Sequence, residues 1–451
     1  MGRRIDVPKD LREFARVFAK AGFSCYFVGG AVRDSLLGLP VSDWDAATDA
    51  KPEQVRSLFR SVIPTGIQHG TVTVRWQGRS IETTTFRVDG EYKDGRRPES
   101  VRFTSDLLED LSRRDFTING MAVDPDSGVI IAPDGGLRDL ADCVIRAIGD
   151  PVARFEEDGL RPLRAIRFAS RLGFSIDEAT FAAIPATVER FRKVSAERVR
   201  EELAKILASA RAGEGLLRLD ESGLLPEILP ELSRCKGVGQ GGPHRYDVFR
   251  HLVAACDAAP QRLTLRLAAL LHDIGKPARR AEADDGSLTF YGHDVESARL
   301  AEAALRRLKF PNALVDEVVH LVRHHMFDYS EHWTDAAVRR FVSRVGLESV
   351  KPLAELRLAD TSGMGNGPAD VRSVMPLIAR VEALRAKDQA FSLKDLAIGG
   401  NDLAGIGWPK GPSMGRALAE MLEAVLDDPD LNTRERLLEI AERIKVKHGV
   451  I

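Results

Sequence analysis

The run Cys25-Tyr-Phe-Val-Gly-Gly-Ala-Val-Arg-Asp34, followed by Ser42-Asp-Trp-Asp45, restricts the possible folds of this chain more than any other feature. Tyr26 to Val28 is an apolar run that stops at Gly29-Gly30 and passes into a helical stretch carrying Arg33. That order predicts a strand, a tight turn and a helix start, where backbone N–H groups can approach a phosphate. Asp43 and Asp45 lie two apart in a second extended run, so both carboxylates project from one face. Paired carboxylates beside a phosphate-cradling turn suit metal-assisted phosphoryl or nucleotidyl transfer. Either half alone also fits a plain turn or a solvated loop. Their order together favours chemistry.

With 451 residues the chain exceeds what one hydrophobic core serves, which predicts two to four domains. Its 44% hydrophobic and 29% charged content excludes a disordered chain. No apolar run is long enough to span a bilayer, and Met1-Gly-Arg-Arg-Ile-Asp6 lacks a signal-peptide core. Cys25, Cys143, Cys235 and Cys256 are scattered without C-x-x-C spacing, which fits a reduced cytoplasm and argues against a zinc ribbon. The net charge of −2 means that a nucleic-acid partner must be held by local basic patches.

Leu11, Phe14, Ala15 and Phe18 recur at helical spacing and predict an amphipathic first helix. Strands are expected at 25–28, around Asp-x-Asp, at Thr71–Trp76 and at Ser80–Arg87, with helices from about 31 and near 52–60. Arg113-Arg-Asp115 opens a run at 116–122 that reads as strand. Asp89–Pro98 is glycine-rich and charged, a loop. Beyond Pro151 the pattern turns almost wholly helical, and turn clusters at Cys235–Pro243, Gly363–Pro368 and Gly399–Pro412 mark expected boundaries. Arg161, Arg164, Arg167 and Arg171 fall along one helix face, which starts near Asp158 if Pro162 sits in its first turn.

The motifs from Cys25 to Asp45, Ile81-Glu-Thr-Thr-Thr-Phe-Arg87, Arg113-Arg-Asp-Phe-Thr-Ile-Asn-Gly-Met-Ala122 and Glu157-Asp-Gly-Leu-Arg-Pro-Leu-Arg-Ala-Ile-Arg-Phe168 together resemble the class II nucleotidyltransferases. These are bacterial tRNA nucleotidyltransferases and related poly(A) polymerases, and the likeness covers about the first half of the chain closely. The resemblance implies an α+β fold: a small mixed-sheet head (1–150), then an all-α helical neck for base selection and RNA binding (151–240), an HD domain (241–365) and a tRNA-binding tail (366–451). It implies Mg²⁺ at Asp43 and Asp45, with Glu82 as a third catalytic carboxylate. It also implies nucleotide binding by Gly29, Gly30, Arg33, Arg114, Asp115, Asn119, Asp158, Arg161, Arg164 and Arg167. In this family the Glu-Asp-x-x-Arg unit stands in for a template strand. Cytosine and adenine both present an amino donor beside a ring-nitrogen acceptor, which Asp158 and Arg161 complement; uracil and guanine present the reverse. CTP and ATP are therefore the expected substrates, and tRNA the expected partner.

His251, His272-Asp273 within Leu270-Leu-His-Asp-Ile-Gly-Lys276, and Asp360 have the order of an H…HD…D metal phosphohydrolase. Resemblance to the HD superfamily implies phosphodiesterase or phosphatase activity with a divalent transition metal; Gly292-His293 and His324-His325 could extend the metal or phosphate contacts, and Lys276 could meet a phosphate. Adjacent residues on a helix diverge by about 100°. His272 and Asp273 therefore converge only at a helix end, which Gly275-Lys-Pro277 supplies. The tail turns at Gly399–Leu403 and Gly405–Gly415 could meet RNA phosphate, and Arg190, Arg192, Lys193, Arg198 and Arg200 offer a further route for an acceptor stem.

Alternatives are an A-adding or CC-adding specialist, a poly(A) polymerase, and an HD hydrolase whose head only senses nucleotide. CC-adding members lack part of the loop that here includes Asp89–Pro98, which favours full CCA or A addition. Asp43, Asp45 and Arg114 together weigh against a sensing head.

Overall fold

The computed structural model describes residues 3–41, 43–89, 101–387 and 389–448, so Gly90–Pro98 of the charged loop lies outside the described residues. The first helix, Lys9–Lys20, buries Leu11, Phe14, Ala15 and Phe18, as their spacing requires. Phe14 stacks on Phe59 with ring centroids 4.9 Å apart and meets Trp76 edge-on at 5.9 Å. This aromatic cluster seats the helix on the sheet beneath it.

That sheet is built from β1 (Cys25–Val28), β2 (Asp45–Thr48), β3 (Val62–Gly66), β4 (Thr71–Trp76) and β5 (Arg79–Thr85). After a hairpin of β6 (Arg87–Asp89) and β7 (Val101–Phe103), it takes in β8 (Ala122–Val123) and β9 (Ile130–Ile131). Its order is β3-β4-β5-β2-β1-β8-β9. Only β2 and β5 among these neighbours run parallel, which makes the sheet mixed. Two registers position the chemistry: Val28 pairs with Asp45, and Ala46 with Thr83. The Gly29-Gly30 turn and Glu82 thus flank Asp45 on the two neighbouring strands.

Two expectations change here. Asp43 precedes β2, which starts at Asp45, although buried Trp44 between two exposed aspartates preserves the alternation. The segment 116–122 is mostly not a strand: Thr117–Asn119 forms a 3₁₀ turn, and pairing resumes at Ala122. Gly120 explains the turn, because a side chain there would meet Ile148 Cδ1 at 2.7 Å. The chain must coil tightly to bring Asn119 inward.

Helix Pro151–Glu157 ends at Asp158, and helix Arg161–Leu172 starts with Pro162 in its first turn, three residues later than expected. Residues 1–230 form one compact unit and 231–451 another. In the second unit, helix Leu263–Leu271 is apolar around most of its circumference and correspondingly buried. It packs with helices Val248–Ala258, His293–Arg307, Asn312–His324 and Val350–Gly363. Beyond Pro151 the described residues add only the two-residue strands Ser175–Ile176, Ala281–Glu282 and Leu288–Thr289.

Gly399–Pro412 is not a boundary. Leu403 and Trp408 join one buried cluster with Met421, Val425, Leu437 and Ile444. Arg339 donates to the terminal carbonyls of Leu426 at 2.8 Å and Asp427 at 3.1 Å, satisfying the end of helix Pro412–Asp427. No helix among the described residues is long and apolar enough to cross a membrane.

Candidate functional site

Gly29 adopts a φ of +73°, which glycine tolerates without strain, and its N–H donates to Met121 O at 3.0 Å. A Cβ on Gly29 would sit 3.1 Å from Arg114 Nη1. The arginine therefore lies directly over the glycine turn. A cavity of about 420 Å³ opens there, lined by Gly29, Gly30, Arg33, Asp45, Arg114, Asp115, Asn119, Asp158, Arg161, Arg164 and Arg167 among others. Every nucleotide-binding candidate read from the sequence is thus brought to one place.

Beneath the cavity runs a chain of charge-assisted bonds. Arg33 Nε donates to Asp34 Oδ1 at 2.7 Å and Nη1 to Asn119 Oδ1 at 2.6 Å. Asn119 Nδ2 then donates to Asp115 Oδ1 at 2.9 Å, and Arg164 donates twice to Asp115 Oδ2 at 2.8 and 2.6 Å. Burial would raise the Asp115 carboxyl, but Arg164, Asn119 and Arg161 hold it far below the usual range. These residues form the braced wall of the cavity.

Arg114 has a support that sequence reasoning missed. Asp110 is fully buried and accepts from Arg114 Nη2 at 3.2 Å and from Arg113 Nε at 2.9 Å. Its spacing of four from Arg114 on a helical stretch was the available signal. Phe168 is buried beside the arginine stripe, and the Arg33, Arg164 and Arg167 guanidiniums lie over its ring at 4.9, 5.5 and 3.6 Å. Arg167 is buried and paired with Glu202 at 2.5 Å, another residue not anticipated.

The side chains of Asp158 and Arg161 both line the cavity but pair with other residues, although Arg161 N–H donates to Asp158 O at 3.0 Å. Arg198 holds Asp158, while Arg161 pairs with Glu157 and donates to Arg154 O at 2.9 Å. Of the basic residues assigned to an acceptor stem, Arg190 is buried and Arg192 is engaged by Glu227 at 2.7 Å; Lys193 is exposed.

Asp45 stands on the cavity floor with Asp43 before it and Glu82 beside it. Protein surrounds its carboxyl although water reaches it, and desolvation followed by repulsion from Glu82 and Asp43 pushes it up to about 6 against the pull of Arg114. Crowded carboxylate oxygens with surplus negative charge match what Mg²⁺ takes as ligands.

The second constellation lies in the unit 231–451. His272 ends helix Leu263–Leu271 and Asp273 follows it, so their side chains converge beyond the last turn. His251 Nε2 lies 3.2 Å from His272 Nε2, 3.3 Å from Asp360 Oδ1 and 3.5 Å from Asp273 Oδ2. Glycines permit the approach: a Cβ on Gly363 would meet His251 O at 2.9 Å, and one on Gly275 would meet His293 O at 2.7 Å. Burial would lower the His272 imidazole, but Asp273 and Asp360 hold it up at about 10. His293 joins the cluster 3.1 Å from Asp273 Oδ1. Lys276 Nζ contacts Asp273 Oδ2 at 2.5 Å and Gln240 Oε1 at 2.6 Å.

Of the pair His324-His325, only His325 joins, buried 3.7 Å from Asp273 Oδ1. His324 instead lies against His320, ring centroids 4.6 Å apart. The signal was present in the helix itself. Val315, Val318 and Val322 form its buried stripe, and a further step of three reaches His325.

Residues 25–146 match the family described as "Poly A polymerase head domain", residues 173–236 "Probable RNA and SrmB- binding site of polymerase A", and residues 243–361 "HD domain". The chain is 34% identical to a CCA-adding enzyme of Limosilactobacillus fermentum over 94% of this chain and 93% of that one. It is 33% identical to a CCA-adding enzyme of Enterococcus faecalis over 98% of each chain. Among solved structures, the Bacillus stearothermophilus CCA-adding enzyme in complex with CTP superposes with a TM-score of 0.75 at 29% identity, covering 98% of this chain and 99% of that one.

Proposed function

The chain belongs to the CCA-adding enzyme family, and from that premise we propose that it adds C and A from CTP and ATP to the 3′ end of tRNA without a nucleic-acid template. The observation that carries this reading is the single cavity joining the Gly29-Gly30 turn, Asp45 and Arg114 to Asp158 and Arg161. Gly29 and Gly30 let the triphosphate approach the backbone, and Arg114, steadied by Asp110, neutralises it. Asp43 and Asp45, with Glu82 beside them, would hold divalent ions, of which Mg²⁺ is the one their oxygen donors suit. Bound there, the ions supply charge neutralisation at the α-phosphate and activation of the primer hydroxyl. The primer 3′-oxygen displaces pyrophosphate as one phosphoester bond forms and one phosphoanhydride bond breaks.

Asp158 and Arg161 read the base. The Asp158 carboxylate accepts from the amino group shared by cytosine and adenine, and Arg161 donates to the ring nitrogen. Uracil or guanine would leave both unpaired, which discriminates by roughly 10⁴-fold where buried polar groups are stranded. Exposed Lys193 and the tail turns are candidates for tRNA backbone contact, and the four cysteines, all unpaired, suit a cytoplasmic site of action.

Incubation with tRNAs ending at the discriminator base, in -C or in -CC, with each nucleotide separately, tests the proposal. Successive addition of two C and one A supports it. Addition of A alone, of C alone, or of an open-ended A tract assigns the specialist or poly(A) reading instead.

A second activity is supported by the His251, His272, Asp273 and Asp360 cluster: hydrolysis of a phosphoester at a divalent transition metal, with Lys276 beside the substrate phosphate. It is tested by a screen of phosphoesters described below.

A further inference from the structure

Helix Leu107–Ser112 carries Asp110, and the chain leaving it presents Arg113 and Arg114. The last carbonyls of a helix have no partner within it. At this helix end, arginines from the two neck helices supply partners. Arg154, in helix Pro151–Glu157, donates from Nη2 to Ser112 O at 2.9 Å, and Arg161 donates from Nη2 to Arg113 O at 3.2 Å. The second carbonyl belongs to the peptide joining Arg113 to Arg114. The arginine assigned to the base therefore touches the backbone that carries the arginine assigned to the triphosphate.

Arg154 occupies this junction without lining the cavity. Its side chain is only 14% exposed, and each guanidinium nitrogen serves a different acceptor. Nε donates to Ile148 O at 3.0 Å, Nη1 to Glu157 Oε2 at 3.0 Å and Nη2 to Ser112 O. Ile148 N–H in turn donates to Asp115 O at 3.2 Å, so the first contact braces the segment that holds Asp115. Glu157 Oε2 also accepts from Arg161 Nη1, which donates again to Arg154 O at 2.9 Å. One carboxylate oxygen thus ties the two guanidiniums together, and each guanidinium caps one carbonyl at the helix end. Among the described residues, these bonds leave the Nε–H and one Nη2–H of Arg161 for a base, in an orientation that its partners fix.

We propose that Arg154 is a positioning residue for nucleotide selection: by joining Glu157 and Arg161 to the end of helix Leu107–Ser112, it sets the base-reading guanidinium in register with Arg114. This rests on base reading by Asp158 and Arg161, and extends it to a residue outside the pocket. A displacement of about 1 Å in a positioned group costs about 10²-fold in rate, so a brace of this kind governs selection without touching the nucleotide. Lysine cannot replace it, because a planar fork serves three separate acceptors where an ammonium is a single point of charge.

The test compares kcat/KM for CTP and UTP on tRNA ending at the discriminator base, using the full chain and its variants. Arg154→Met is expected to lower the CTP-to-UTP ratio by about 10²-fold. Glu157→Gln, which keeps size and shape, should lower it in the same direction with a parent-like circular dichroism melt, and it carries the test alone if Arg154→Met does not fold. Arg154→Lys is expected not to restore the ratio. In an Arg161→Met background, Arg154→Met should add no further loss of selectivity, because the group it positions is gone. A parent-like ratio in Arg154→Met and Glu157→Gln, full restoration by lysine, or additive losses in the double variant would each overturn the positioning role and leave base reading by Arg161 standing. If Arg161→Met itself discriminates as the parent does, the base-reading assignment falls as well.

Discussion

Asp158 and Arg198 meet through two parallel contacts, Oδ1 to Nη1 at 3.1 Å and Oδ2 to Nη2 at 2.7 Å. The carboxylate assigned to reading the base is thus oriented by a residue forty positions away. On the proposed reading, Arg198 positions the carboxylate that selects the base, and an incoming amino group would share Asp158 with it.

Asp158→Ala is expected to erode discrimination against UTP and GTP by up to roughly 10⁴-fold. Arg198→Met, which keeps bulk and loses the ion pair, should erode it less. Incorporation of all four nucleotides onto tRNA ending in -CC measures both. If each variant rejects UTP and GTP as sharply as the parent, the protein template lies elsewhere.

Asp43→Ala and Asp45→Ala should each lower nucleotide addition by about 10³-fold or more, since several kcal/mol of transition-state stabilisation depend on these carboxylates. The melting profile should remain close to the parent's, because both side chains are exposed. Parent-like incorporation by the double variant would remove the assignment of these two residues.

Burial would raise the Asp110 carboxyl, but Arg113 and Arg114 hold it below its usual value. Its folded pKa is therefore lower than its unfolded one, so its contribution is complete at neutral pH and fades as pH falls below about 4. Asp110→Asn should cost roughly 1–3 kcal/mol at pH 7 and progressively less toward pH 3. Denaturant titrations across that range measure it. A deficit independent of pH would mean that packing, not charge, is what Asp110 supplies.

Gly275→Ala should destabilise the second unit by about 1–3 kcal/mol, because the new Cβ would meet Ser297 N at 2.6 Å and His293 O at 2.7 Å. Displacing His293 should also weaken transition-metal binding, readable by calorimetry. Unchanged affinity would show that the helix yields without moving its histidine.

His272→Ala with Asp273→Ala should abolish phosphoester cleavage and leave tRNA addition intact. A screen of 2′,3′-cyclic nucleotides and phosphomonoesters with Mg²⁺, Mn²⁺, Ni²⁺ or Co²⁺ supplies the substrate. Equal cleavage by the variant would place the hydrolytic activity outside this cluster.

Local rules in the sequence determined much of this. The strand–turn–helix at Tyr26–Arg33, the buried stripe of the first helix, the arginine ladder from Arg161 and the helix end at His272-Asp273 follow from apolar period, glycine freedom and proline geometry. These act within a few residues, so they can be read in order along the chain. Where the chain coils for a distant reason, local reading failed: 116–122 has strand-like composition, yet Gly120 packed against Ile148 bends it into a 3₁₀ turn. Tertiary structure alone decided the pairings. Asp158 with Arg198, Arg167 with Glu202 and Asp273 with His325 join residues far apart in sequence, and a charge in a sequence specifies only that a partner is needed. Which partner arrives depends on how helices stack, and burial then makes the choice binding, because a buried ion without its counter-charge is costly.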